Sequence, residues 1–209
     1  MILKKAFPQP GDFYNIIRLL KLDFKLYRDP DGRIGISPDF FRLFLFAIVS
    51  RDFRLNVLVR LRCARILIIS RLCESLIFYL YSSSISGRAT IAIPLRFCHA
   101  HSIVIGKRVR FETGDYAYIF NNVTIGKALP GDPSGEMPTF KGSVIIGVGS
   151  VILGSVITEG SVIFGANSFC ANKVIPAGTT VVGANRIISK SYNIPSTPFQ
   201  IARASLTWR

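Results

Sequence analysis

The sequence predicts a left-handed parallel β-helix preceded by an α-helical segment, on three observations. From Gly87 onward, apolar and small residues recur every six positions. Before Tyr81 the apolar residues recur every three or four. One Pro- and Gly-rich stretch, residues 127–141, interrupts the period of six.

The period is clearest near the C-terminal end. Seven consecutive sixes run without a slip, beginning at Ile146, Ile152, Thr158, Phe164, Cys170, Pro176 and Val182. Earlier sixes begin at Gly87, Ile93, His99 and Ile105, and about two extra residues disturb the count between Gly114 and Tyr118. A period of six fits neither an amphipathic helix nor an alternating strand. It fits a solenoid in which each six supplies one short strand and one corner. The apolar first residue points inward, a small or β-branched fifth residue fills the tight interior, and Gly or Asn turns the corner. Three sixes make a triangular coil, and stacking coils buries the strand faces. A Gly- and Val-rich β-sandwich is the competing reading, and seven repeats in register argue against it.

Residues 1–81 read as helical. Asp12 or Gly11 would cap a helix through Phe13, Ile16, Ile17, Leu19, Leu20 and Leu22. Asp29-Pro30-Asp31-Gly32 is a turn. Ser37 followed by Pro38 marks a second start, with Pro at the first helical position, and one or two helices run from there to Tyr81. The organisation expected is a helical domain 1–81, a β-helix 82–188 and a tail 189–209.

Composition bounds the function classes. Of 209 residues, 49% are apolar, enough for a sizeable core. The four Cys form no CxxC pair and no Cys/His spacing suited to zinc, so reduced thiols and no metal are expected. Met1 to Pro8 lacks the apolar run of a signal peptide. Seven arginines interrupt Phe40–Tyr81, leaving no uncharged run of roughly 18 residues. A cytoplasmic protein is expected, free or peripheral at the inner face of the plasma membrane. The net charge of +14 is shared by both halves: residues 1–81 hold 14 basic and 7 acidic side chains, a net +7. Such a field suits anionic partners. The chain has no recognisable nucleic-acid module, which leaves CoA phosphates, anionic lipid or an acidic polysaccharide.

The chain's two histidines, His99 and His101, sit within three residues of each other. Alternation along a strand would put both on one face, and a corner between them would turn one away. A structural role is the bland alternative to a catalytic base. Residues 84–190 resemble the serine acetyltransferase branch of the hexapeptide-repeat acyltransferases. Cys98-His99-Ala100-His101-Ser102-Ile103-Val104-Ile105-Gly106 resembles the family's D-H-A-T-G-I-V-I-G, with His99 on the catalytic position. Asn121 to Gly126, Ile146 to Ser150 and Phe164 to Ser168 match later coils, and Val182 to Arg186 resembles the closing V-G-x-P-A-[KR], one residue short and without its Pro.

The resemblance implies an acetyl-CoA-dependent O-acyltransferase with no metal. It implies His99 as general base, with His101 beside it and Asn121 as a candidate oxyanion donor. Acetyl-CoA would lie beside Gly126, Ser150, Ala166 and Ser168, with Lys173, Arg186 and Lys190 on its phosphates. It also implies a homotrimer with sites between subunits, and N-terminal helices that pair trimers into a hexamer or touch a membrane.

The departures concern the acceptor. Ser84 stands where the family has the Asp that orients the base, Cys98 replaces the Asp before it, and Glu136-Met137 replaces the Arg-His that helps hold the amino acid. Asn122, Ser84, Glu136 and Met137 would then line the acceptor site. A zwitterion needs partners for both its charges. The reading favoured from the sequence is therefore transfer to a sugar hydroxyl of an acidic bacterial surface polysaccharide, as in capsular and colanic-acid-type enzymes of the superfamily. Serine O-acetylation and a non-catalytic scaffold are the alternatives.

Overall fold

The structure is a computed structural model and describes residues 13–28, 38–64, 66–128 and 135–188. Four helices come first: α1 (Phe13–Arg28), α2 (Phe40–Val49), α3 (Arg51–Arg62) and α4 (Leu67–Tyr81). Sixteen short strands follow. The first coil holds β1 (Ser84–Ile85), β2 (Thr90–Ile91) and β3 (Leu95–Cys98); the second, β4 (Val104–Ile105), β5 (Arg110–Thr113) and β6 (Ala117–Phe120); the third, β7 (Thr124–Gly126), β8 (Thr139–Lys141) and β9 (Val144–Ile146). The fourth holds β10 (Val151–Leu153), β11 (Ile157–Thr158) and β12 (Val162–Phe164). The last holds β13 (Phe169–Ala171), β14 (Val174–Ile175) and β15 (Thr180–Val182), and β16 (Arg186–Ile188) folds back antiparallel on β15.

Every third strand pairs in parallel, which makes three sheets, β1-β4-β7-β10-β13, β2-β5-β8-β11-β14 and β3-β6-β9-β12-β15-β16. This is the parallel β-solenoid with an N-terminal helical region that the sequence predicts. The inward residues stack in register: Ile85, Ile105, Ile125, Ile152 and Cys170 on one wall, Ile91, Phe111, Phe140, Thr158 and Ile175 on the next. Phe111 and Phe140 stack at 4.6 Å between ring centroids. Corners must let coils approach closely. At Gly142, with φ +100°, an added Cβ would lie 2.3 Å from the carbonyl carbon of Gly160, so only glycine fits there.

The helical segment differs from expectation in two places. Three helices, not one or two, run between Phe40 and Tyr81. Ser50 ends α2 and caps α3, its hydroxyl accepting from Phe53 N at 3.2 Å, so an apparently continuous apolar run is broken by a cap. The cap of α2 is Asp39, which accepts from Arg42 N at 2.8 Å, and Pro38 precedes the helix rather than opening it. The caps proposed at Gly11, Asp12 and Ser37, and the tail from Ser189, lie outside the described residues. No helix is long and apolar enough to cross a membrane among the described residues.

The first coil of a solenoid exposes an edge strand whose backbone groups need partners. Here α1 and α3 supply them with side chains. Asp23 accepts from Leu95 N at 2.7 Å, and Asn56 donates to Leu95 O. Tyr27 Oη accepts from Phe97 N and donates to Phe97 O, both at 3.0 Å. Arg60 donates to Ile91 O and Ile93 O while pairing both Asp23 oxygens at 2.9 Å. Asp23 and Arg60 are buried, so this pair is held by hydrogen bonds on every side. Burial pushes the Tyr27 phenol well above its ordinary range. The helices thus take the place of a missing coil.

Candidate active site

The same ladder ends at the histidines. Strand β3 stops at Cys98, and His99 adopts the left-handed conformation with φ +57°. Cys98 pairs with Phe120 and Val104 with Thr124, so five residues turn this corner where the next coil uses three. The corner of the first coil therefore carries two extra residues. Asp52, in the first turn of α3, holds the bulge: Oδ2 accepts from His99 N at 3.1 Å and Oδ1 from Ala100 N at 2.9 Å. The His99 side chain is exposed.

His101 is also exposed, and its Nδ1 lies 2.7 Å from Ser102 Oγ. Its carbonyl accepts from Asn122 N, and that of Asn121 accepts from Gly149 N. His101 and Asn121 thus head successive coils at one edge of the prism. Asn122 is the exposed left-handed corner residue there, with φ +58°. Ser84 is exposed on β1, and neither histidine ring bonds to it among the described residues.

Cys98 is half-buried, and burial pushes its thiol up to about 11. It is a poor nucleophile in that state.

The residues expected around acetyl-CoA separate. Ser150 and Ser168 are buried inside the solenoid, where Ser150 Oγ donates to Gly165 O at 2.9 Å and Ser168 Oγ lies 3.3 Å from it. They occupy the inward fifth position of their sixes and present no side chain to a surface ligand. Lys173 Nζ donates to Asn185 O at 2.9 Å, which ties it to the end of the solenoid. Ala166 is exposed at a corner, Arg186 is exposed at the start of β16, and Gly126 ends β7. Lys190 lies outside the described residues. The interrupting stretch is shorter than expected, because Thr139–Lys141 is strand β8 and pairs with β5 and β11.

Gly135, Glu136 and Met137 border a cleft of about 440 Å³. Glu136 and Met137 line it with Arg88, Arg108 and Arg110, over a floor that includes Thr90 and Thr139. Register explains the convergence. Thr90, Arg110 and Thr139 stand side by side on successive coils, facing out. Arg108 N donates to Arg88 O at 3.2 Å, so these two arginines stack at the neighbouring corner. The Nε of Arg110 lies 3.4 Å from Glu112 and 3.3 Å from Thr139 Oγ1. No residue of the His99 corner lines this cleft. The two features occupy different edges of one prism.

No protein-family model and no curated protein matches the chain. Solved structures do. A serine acetyltransferase in complex with cysteine superposes with a TM-score of 0.69 at 21% identity, over 90% of this chain and 71% of that one. The chain has the serine acetyltransferase fold. The Neisseria gonorrhoeae serine acetyltransferase in complex with serine gives a TM-score of 0.63 at 22% identity, over 81% and 67% of the two chains. A serine acetyltransferase in complex with CoA gives 0.61 at 21%, over 84% and 71%.

These neighbours overturn the polysaccharide reading. Each is a serine acetyltransferase. That reading rested on Ser84, Cys98, Glu136 and Met137 standing where the family has Asp, Asp, Arg and His. The structure adds Arg88, Arg108 and Arg110 to the cleft that Glu136 and Met137 line. Sequence reasoning missed Arg88, Arg108, Arg110 and Asp52. The arginines were visible as two corners 20 residues apart, one coil length once the corner bulge is counted. Nothing local marked Asp52, whose partners lie 47 and 48 positions away.

Proposed function

We propose that this protein is an acetyl-CoA-dependent O-acetyltransferase whose acceptor is the hydroxyl of a serine-type amino acid. The observation that carries this is the cleft that Arg88, Arg108, Arg110 and Glu136 line together. An amino acid presents a carboxylate and an ammonium, and leaving either unpaired in a cleft is costly. Arginine forks suit the carboxylate, and Glu136 suits the ammonium. The charge pattern is inverted relative to the family's loop, with the acid on the loop and the cations on the solenoid.

In this reading neutral His99 accepts the acceptor's hydroxyl proton as the oxygen attacks the thioester carbonyl. The tetrahedral oxyanion is met by a backbone N–H or by Asn121. Collapse breaks the C–S bond, and the His99 imidazolium returns the proton to the CoA sulfur. Transfer is direct, because the Cys98 thiol is protonated near neutral pH. The separation of His99 from the cleft favours a site shared between subunits of a homotrimer, one giving the histidine corner and the next the cleft. Ala166, Gly126 and Arg186 remain candidates for acetyl-CoA contact. Exposed apolar residues on α2 and α4, among them Phe40, Phe44, Ile68 and Tyr79, support a further contact surface on the helices, used to pair trimers or to touch a bilayer.

The test separates the two halves of the acceptor. Arg110→Ser and Glu136→Gln should each raise KM for L-serine by about tenfold or more, with KM for acetyl-CoA little changed. Unchanged KM for serine in both variants removes the cleft from the acceptor site.

A further inference from the structure

A second cavity of about 330 Å³ adjoins the cleft and shares Arg88 and Arg108 with it. Lys107 and Lys127 complete its charged lining, beside Gly106 and Met137. Among the described residues, four cations and no carboxylate line this space. The acid of the adjoining half, Glu136, does not line it. Lys107 lies close enough to Glu74 to help hold that carboxyl low, but Glu74 is already bonded to Arg62 at 2.7 Å. Among the described residues these like charges share one cavity, an arrangement stabilised by a bound anion.

Arg108 turns its corner with φ +62°, the left-handed conformation that Asn122, Asn167 and Asn172 also adopt. Its Nη1 lies 3.9 Å from where a Cβ on Gly135 would sit, so the guanidinium reaches beneath the loop. A Cβ on Gly106 would come within 3.1 Å of the Met137 methyl, and one on Gly126 would meet nothing within 4 Å. Gly106, which lines the cavity, leaves that room beside Met137 open.

We propose that Arg88, Lys107, Arg108 and Lys127 form a binding site for a phosphate-bearing ligand. A single carboxylate would neutralise only one of the four charges. A phosphate dianion or a diphosphate matches more of them, and its oxygens accept from the guanidinium forks two at a time. The sequence placed phosphate contacts on the last coils, but Lys173 is occupied by Asn185 O. The chemistry is shared by two sources, the phosphates of CoA and free inorganic phosphate or diphosphate.

Isothermal titration of the full chain at low ionic strength distinguishes them, with inorganic phosphate, pyrophosphate and adenosine 3′,5′-bisphosphate as probes. Saturable binding is expected for at least one probe, weakening as salt rises. Lys107→Ser/Lys127→Ser and Arg88→Ser/Arg108→Ser should each weaken it by about 10- to 100-fold, the loss of charge-assisted hydrogen bonds. Thermal melts of both variants should match the parent, because all four side chains are exposed. Tighter binding of the bisphosphate than of pyrophosphate supports the CoA source, and equal or weaker binding supports the free anion. No saturable binding by the parent chain, or equal binding by the folded variants, overturns the proposal. Since no acetyl group is involved, that result would leave the acetyl-transfer reading standing.

Discussion

Asp52→Ala should uncouple the histidine corner from the helices. The parent carboxylate accepts two backbone N–H groups, at 3.1 Å from His99 and 2.9 Å from Ala100. Ala100 is buried, so its N–H would lose its partner out of reach of water. That costs about 1–3 kcal/mol of stability. His99 is exposed, and water replaces most of what its N–H loses. The larger effect should be on rate. Among the described residues Asp52 is the acceptor for both His99 N and Ala100 N, and a general base misplaced by about 1 Å costs roughly 10²-fold. The assay is CoA thiol release at saturating L-serine, with melts run in parallel. The expected result is kcat lower by roughly 10²-fold and KM for acetyl-CoA within about twofold. Asn56→Ala is the control. It removes a comparable bond from the same helix to Leu95 O, well before the bulge, and should lower stability while sparing kcat. Parental kcat in Asp52→Ala, or the same kcat loss in Asn56→Ala, would refute the reasoning.

Three further outcomes follow from particular contacts. His99→Ala should cost about 10²–10⁴ in turnover while the fold persists, and His101→Ala should be milder; the reverse order would exchange their roles. Arg60→Met should destabilise by about 3–5 kcal/mol, because it strands buried Asp23 and unpairs Ile91 O and Ile93 O, whereas Asp23→Leu/Arg60→Met should recover part of that loss in a chemical denaturation cycle. Cys98→Ala should keep turnover near the parent's. In the parent the thiol, at about 11, is the protonated form across neutral pH, and its alkylation by iodoacetamide should accelerate only as pH climbs toward that value.

The fold was legible because a period of six is imposed by geometry. Each inward position must be apolar and each fifth position small, and residues such as Ile152, Ser168 and Cys170 obey that rule without reference to partners. The extra residues near Gly114 were legible for the same reason, as Phe111 to Ala117 takes two more residues than Phe140 to Val144. The bulge at His99 was not, because a frame of sixes can restart at Ile105 and conceal it. The break at Ser50 was marked by a capping residue, but the apolar run on both sides masked it. The site was less legible than the fold. His99 stood out by type and motif. The arginines of the cleft come from stacked coils, and stacking makes neighbours of distant positions such as Arg88, Arg108 and Arg110 only after the coils are counted. Reading the loop alone gave Glu136 and Met137 and, with them, the wrong acceptor.

Acetyl transfer to a serine hydroxyl at a His99-centred site can be read from its product. Acetylated serine is detected by mass spectrometry alongside CoA release, with acetyl-CoA and L-serine supplied to the parent chain and to His99→Ala. Saturable, serine-dependent release with stoichiometric acetylserine is expected from the parent and almost none from the variant. Absence of serine-dependent product from the folded parent, or equal product from His99→Ala, would contradict that assignment.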